Sequence, residues 1–471
     1  EHTQWSDGTE VWRHRVRSQG AKRLGFFFDQ WELPRGAYLY IYSTFDPTQG
    51  LGGFGGENNN ERASLPIQPI LADDVVIELQ APKGSRPRLH LQELYHGVRT
   101  IDGLLRYKGP QVGSPQRLAC TPEVACYPEF REVAQSVVVV ITGSGAMGTG
   151  ALVNNTSSNG RPLILTASHV VEANFRYGIL SPQQLEEEAA KSVFFFNYQT
   201  PMCDSGIQPS ATQSIAGAKM LGCHPFTDVA LMELDAVPPT DYQVYYAGWN
   251  AQPNLEDAHA NIHHPYGYSK RINLAFSHLN YTTYSDGSLP FGKNQHIRVP
   301  YWDLGTTAPG SSGSPLLDPQ HRINGVLSGG ESYCGHRSYD FFASLQRVWE
   351  SEDTEARKIV AALDPSGAKA TTCAGKGASK GGEQAPIRLT NMRIAPSNTR
   401  VIELLPQMDR TKLLGSDHGV QEIGESYRIS AGSKVYGVYV MLSGEAQSGD
   451  ELVVRSEEHT SDSSHVSESR M

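Results

Sequence analysis

The run Gly310-Ser311-Ser312-Gly313-Ser314-Pro315 constrains this chain more than any other stretch. Six small residues in a row form neither an amphipathic helix nor a buried strand, so they must make a tight turn. Glycines at 310 and 313 let the backbone bend sharply and approach a ligand closely. Such a turn holds the Ser312 hydroxyl exposed, and it lets the Gly310 and Ser312 amides converge on a developing negative charge. Gly/Ser-rich turns are common, and the residues around this one must decide whether it carries chemistry.

Two other segments bear on it. Leu163-Ile164-Leu165-Thr166-Ala167-Ser168-His169 reads as a buried apolar strand ending on a histidine. Thr227-Asp228-Val229-Ala230-Leu231-Met232-Glu233-Leu234 puts an aspartate at the head of another. Taken singly, His169 is a half-buried strand-end residue and Asp228 a turn residue or cap. Together with Ser312 they stand in the order His, Asp, Ser, the chain order of one known form of the serine hydrolase triad.

At these residues the chain resembles the lysyl endopeptidase-like serine proteases of secreting bacteria, which are built on the chymotrypsin double β-barrel. The likeness runs through Ala119-Cys120-Thr121-Pro122-Glu123-Val124-Ala125-Cys126, Gly150 to Asn155, Phe196-Asn197-Tyr198-Gln199 with Cys203, Tyr246 to Asn250, Ile262-His263-His264-Pro265 and Pro309 to Pro315. It covers residues 117 to 366. It implies that Ser312 attacks the peptide carbonyl, that His169 removes and later donates the proton, and that Asp228 orients His169. The Gly310 and Ser312 amides would then form the oxyanion hole, worth on the order of 3 kcal/mol per donor. The resemblance also assigns Asp340, six residues after Cys334, to the pocket for the side chain before the cleaved bond, with Ser328, Gly329 and Gly330 as its wall. Glu331 is the alternative acid in the same loop. Lysine-specific relatives carry a histidine where Ser328 stands, a departure that leaves room for arginine beside lysine.

Of the six cysteines, the resemblance pairs Cys120 with Cys334 and Cys126 with Cys203. Gly148 and Val170 stand where a third family bridge would be. Cys223 and Cys373 either pair with each other or remain buried thiols. Long-range bridges suit an oxidising compartment, so a secreted or cell-surface bacterial protein is expected.

Composition excludes other classes. A formal net charge of -10 and the lack of a long basic run argue against nucleic acid as a partner. No apolar stretch approaches the roughly 20 residues that span a bilayer. The 16 histidines include no His-Glu-x-x-His, and the cysteines form no CxxC pair, so neither a metal nor a cofactor is expected. His263 and His264 read as a structural turn before Pro265. The expected partners are protein or peptide substrates, and the expected state is a monomer.

The 471 residues exceed one ordinary domain. A mainly β architecture is expected: an N-terminal β-sandwich over 1–112, a chymotrypsin-like double β-barrel over 117–366, a flexible linker over 367–386 and a small β-module over 387–455. The N-terminal part resembles the pro-region of such proteases, which implies a zymogen, and the stretch from Lys108 to Arg117, basic at both ends, suits self-processing by a basic-specific enzyme. Residues 456–471 read as a disordered tail that resembles a translated sequencing adapter. The start has neither an initiating Met nor a signal peptide, so a processed chain or a fragment is expected. The protease would end in one helix over about 346–363. Other readings are a serine endopeptidase of different side-chain preference, or an inactive protease scaffold that binds a surface.

Overall fold

A computed structural model describes residues 2–46, 50–97, 120–172, 180–205, 209–211, 213–257, 259–285 and 291–377, together with the backbone of 453–460 and 463–470. The chain divides into two units, Glu1–Gly382 and Glu383–Met471.

The first unit opens with two antiparallel sheets. Runs with alternating apolar residues supply them: Arg23–Glu32, Tyr38–Ser43, Asp74–Ala81 and Arg88–Gly97 are the long strands. Five strands form one sheet, three the other. Leu24, Phe26, Phe28, Trp31, Leu39, Ile41, Leu65, Ile67 and Val75 fill the space between them as one core. This is the expected β-sandwich, because alternate residues of each strand point inward.

Two curled sheets follow. The first has seven strands, and its outermost members, Ser214–Ala216 and Ala218–His224, are separated in sequence by Gly217 alone. One residue between the first and last strands forces the sheet to curl round on itself. In the second curled sheet the end strands of the main path, Arg271–Ala275 and Asn280–Thr282, are likewise consecutive. A run such as Val137–Ile141, buried at every position, is what a strand inside such a double-layered body requires. The fold is mainly β and takes the double-barrel form expected.

Three sequence readings change. The C-terminal helix is two helices, Leu345–Glu350 and Thr354–Leu363, because the Asp353 carboxylate caps the Glu355 amide at 2.8 Å and starts a new helix. The linker begins later than residue 367. Thr372–Cys373 pairs with Trp249–Asn250, and Lys376–Gly377 pairs with Tyr245–Tyr246. Strand pairing of the backbone, with Cys373 buried beneath it, overrides a composition that reads as flexible. Val453–Thr460 and Ser463–Arg470 pair as a hairpin where a disordered tail was expected. A backbone ladder forms without the apolar pattern on which the sequence reading relied. The remainder of the C-terminal module and the stretch from Lys108 to Arg117 lie outside the described residues.

Candidate active site

His169 does not end a strand. The strand Leu163–Thr166 stops at Ala167, and His169 sits in the first turn of a short helix, Ser168–Val171. Asp228 precedes the strand Val229–Leu234 with φ of 61°, a left-handed conformation that aspartate tolerates better than most residues. The strands Leu163–Thr166 and Val229–Leu234 are paired, with Thr166 opposite Ala230, and this register brings the two side chains together. His169 Nδ1 lies 2.8 Å from Asp228 Oδ2, and the His169 amide donates to Oδ1 at 2.9 Å. The Ser168 hydroxyl donates to Oδ1 at 3.0 Å.

Asp228 is fully buried. Burial pushes its carboxyl up, but the His169 charge, the His169 hydrogen bonds and Ser328 together hold it below the usual carboxylate range. A carboxylate on Nδ1 fixes the imidazole with Nε2 as the atom that exchanges a proton. His296 is buried near this pair, its ring 4.9 Å from that of Phe291. Burial pushes its pKa down to about 4, which leaves it a neutral wall.

The turn around Ser312 is anchored from several sides. Thr149 donates its amide to Ser312 O and its hydroxyl to Gly310 O, both at 2.8 Å. Ser311 is braced by His263: Nδ1 lies 2.6 Å from the Ser311 hydroxyl, and Nε2 faces Asn273 Oδ1 at 3.2 Å. Because Nε2 meets an acceptor, it carries the proton, and the Ser311 hydroxyl donates to Nδ1. Gly313 has φ of 82°, and a Cβ there would run into Thr166 and the Ala167 amide. Ser312 is therefore packed against the segment that leads into His169. The amides of Ser311, Gly313 and Ser314 are engaged, whereas those of Gly310 and Ser312 have no acceptor among the described residues. Two unengaged amides beside a half-buried serine are an anion-binding arrangement.

Asp340 opens the strand Asp340–Ser344 and has no exposed surface. Its Oδ2 accepts from Trp302 Nε1 at 2.6 Å, the Ser332 hydroxyl at 2.7 Å and the Thr307 hydroxyl at 2.9 Å, and Oδ1 faces the Ser332 amide at 3.4 Å. All four donors are neutral. Burial pushes its pKa up, and the Ser332, Trp302 and Thr307 bonds draw it part of the way back. Among the described residues no cation pairs with it. Gly330 lies directly against Asp340, and a Cβ on Gly329 would stand 2.6 Å from the Tyr284 hydroxyl. Tyr284 in turn stacks on Phe341, with centroids 4.5 Å apart. Glu331 is exposed.

Ser328 is buried, whereas Gly329 is half-buried and Gly330 exposed. The pairing of strand Ile323–Gly330 with Asp340–Ser344 slips between Leu327 and Gly329. The bulge turns Ser328 inward, close enough to Asp228 to lower the pKa of that carboxyl.

The bridges Cys120–Cys334 and Cys126–Cys203 are formed. Cys223 and Cys373 are free thiols, each buried opposite a different strand, Cys223 against Ala230 and Cys373 against Trp249. Gly148 and Val170 are in contact, with Val170 Cγ1 2.7 Å from where a Cβ on Gly148 would stand, so valine fills the place of a third bridge. Sequence reasoning missed Ser168, Thr149, Tyr284 and His296, and it took His263 only for part of a turn. The adjacency of Ser168 to His169 was the one local signal.

Residues 116–343 match the family described as lysyl endopeptidase, C-terminal domain. The chain is 28% identical over 305 residues to the lysyl endopeptidase of Pseudomonas aeruginosa PAO1, which covers 59% of this chain and 60% of that protein. Among solved structures, the inactive form of the Rv3671c Ser343Ala mutant from M. tuberculosis overlaps with a TM-score of 0.32 at 14% identity, covering 51% of this chain and 92% of that one. The HtrA-type protease AlgW with a tripeptide overlaps with a TM-score of 0.32 at 14% identity, over 50% of this chain and 63% of that one.

Proposed function

Because residues 116–343 are lysyl endopeptidase-like, we propose that this chain is a secreted serine endopeptidase that cleaves peptide bonds after lysine, with arginine admitted. The observation that carries the reading is the 2.8 Å contact between His169 Nδ1 and Asp228, held beside a turn whose Gly310 and Ser312 amides are unengaged. In this reading His169 Nε2 takes the Ser312 proton as the hydroxyl oxygen attacks the substrate carbonyl carbon. The carbonyl oxygen becomes an oxyanion and receives the two amides. His169 then gives the proton to the leaving amine, and water repeats the sequence on the acyl-enzyme. Asp228 stabilises the imidazolium in both halves.

Asp340 supports the basic preference. A buried carboxylate surrounded only by neutral donors keeps its charge uncompensated, and a substrate ammonium entering past Gly329 and Gly330 would compensate it. The N-terminal sandwich is read as a pro-region and the whole chain as a zymogen, cut between Lys108 and Arg117 by the enzyme itself. Protein or peptide substrates are the partners, and the working state is a monomer. Two long-range disulfides support secretion.

Labelling with a phosphonofluoridate followed by peptide mapping tests the reading. The reagent should modify Ser312 and stop hydrolysis of lysyl peptides. Ser312→Ala should lower kcat by at least about a thousandfold, and it should leave the purified chain in one piece. Full activity in Ser312→Ala would overturn the assignment.

A further inference from the structure

The N-terminal sandwich docks against the first barrel through charged and aromatic contacts. Arg62 pairs with Glu186 at 2.5 Å, and Lys191 pairs with Glu93 at 2.6 Å while lying 5.2 Å from the Phe27 ring centroid. A third contact differs in where it leads. Arg23, buried over Gly97 and beside the Tyr95 ring, donates from Nη2 to the carbonyl of Gly145 at 3.1 Å. Tyr95 lies so close to Gly145 that a Cβ at that position would run into its ring.

Gly145 is in the turn that joins Val137–Ile141 to Met147–Val153. Its φ of 77° and its bond to Thr142 O at 2.8 Å make that turn tight. Two residues on, Met147 Cε stands 2.9 Å from the position of a Cβ on Gly310. Four residues on, Thr149 supplies the two hydrogen bonds that hold the Gly310 and Ser312 carbonyls. A single hairpin is thus gripped at its tip by the sandwich and carries the nucleophile turn along its second strand. Over so short and fully paired a hairpin, a displacement at the tip is passed down the strand rather than absorbed.

We propose that the docked N-terminal sandwich is a positioning partner of the nucleophile turn, setting the Gly310 and Ser312 amides through Arg23, Tyr95 and the turn at Gly145. The inference rests on the assignment of Ser312 as nucleophile. It makes the sandwich more than a segment to be discarded: while docked, before the cut between Lys108 and Arg117, it gives the serine the reactivity by which the uncut chain processes itself. Arg23 and Tyr95 act through the hairpin and touch no substrate.

The test uses the full chain with Ser312 labelling by a small fluorophosphonate, since that rate depends on the oxyanion amides and needs no substrate pocket, and with kcat and KM on a lysyl peptide amide. Tyr95→Ala and Arg23→Ala should each slow labelling and lower kcat by about tenfold at nearly constant KM. Glu61→Gln, at the exposed pair with Lys219, should leave both unchanged. Gly145→Ala should also slow labelling, and adding Tyr95→Ala to it should cost no more than Tyr95→Ala alone, because the clash disappears with the ring. Purely additive effects would mean that Gly145 acts by backbone strain without the sandwich, and would overturn the coupling. Labelling of wild type at Ser312 together with unchanged rates in Tyr95→Ala and Arg23→Ala would overturn the coupling alone. Absence of labelling at Ser312 in wild type would overturn the nucleophile assignment first.

Discussion

The Ser168 hydroxyl donates a 3.0 Å hydrogen bond to Oδ1 of Asp228, and the next residue in the chain is the histidine held by the same carboxylate. One buried acid therefore anchors both the start of the short helix and the ring that the helix carries. The same carboxylate accepts the His169 amide. Its charge is shared among donors on a single turn of chain, so the orientation of His169 and the ionisation of Asp228 are set together.

Removing the Ser168 hydroxyl should test that sharing. A hydrogen bond to a charged group contributes about 1.5–3 kcal/mol, and part of this should act on the imidazolium that the proposed reaction forms. Ser168→Ala should lower kcat by about tenfold, leave KM nearly unchanged, and move the acid limb of the kcat/KM profile. An unchanged profile would show that the His169 contacts alone fix the carboxylate.

Asp340 should set the preference for a basic side chain. Leaving a buried substrate cation unpaired costs roughly 2–5 kcal/mol, so Asp340→Asn should lower kcat/KM on lysyl peptides by at least about thirtyfold. Cleavage after neutral residues should change much less. The Trp302, Thr307 and Ser332 bonds complicate the variant, because an amide NH2 placed among four donors is poorly received. Comparing lysyl with neutral substrates on the same variant cancels that general effect. A lysine preference that survives would exclude Asp340.

Glu172 should make stability depend on pH. It follows the helix that bears His169, is 5% exposed, and leaves Oε1 without a described partner. Burial, with Asp228 nearby, pushes its pKa up to about 7. The folded state therefore holds this proton more tightly than the unfolded chain. The stabilisation is full below the unfolded value near 4.5, and it is lost as pH rises through about 7. Chemical denaturation across that window should show unfolding free energy falling by up to about 3 kcal/mol from this group, and Glu172→Gln should flatten the decline. A slope identical in wild type and variant would count against it.

Thiol titration should separate the two buried cysteines from the bridged four. Burial raises Cys223 well above its ordinary value and, aided by Asp364, pushes Cys373 up to about 11, so neither is a ready nucleophile. A disulfide-exchange reagent should find no thiol that reacts quickly in the native protein and two after denaturation. Finding none after denaturation would mean that Cys223 and Cys373 are bridged.

The parts of the site that were legible are those where local chemistry fixes conformation. The glycine-flanked turn at Ser312, the apolar strand before His169 and the apolar strand after Asp228 each carry their own signal. The N-terminal strands were legible because alternation reports a half-buried sheet. The helix break at Asp353 and the strands at Thr372 and Lys376 were not, since a cap and a backbone pairing prevailed over composition.

By itself the sequence determined which residues must bend, which must be buried, and which side chains have the chemistry of a triad, because these follow from each residue's own sterics and polarity. Only the tertiary structure decided what surrounds them. It turned Ser328 toward Asp228 through a one-residue slip in strand pairing, and it set four neutral donors on Asp340. It also placed His263 under Ser311, Thr149 under the turn at Ser312 and Tyr95 against Gly145. Most of these contacts join residues distant in sequence, and their geometry depends on strand register and sheet closure, which are properties of the assembled sheets rather than of any segment.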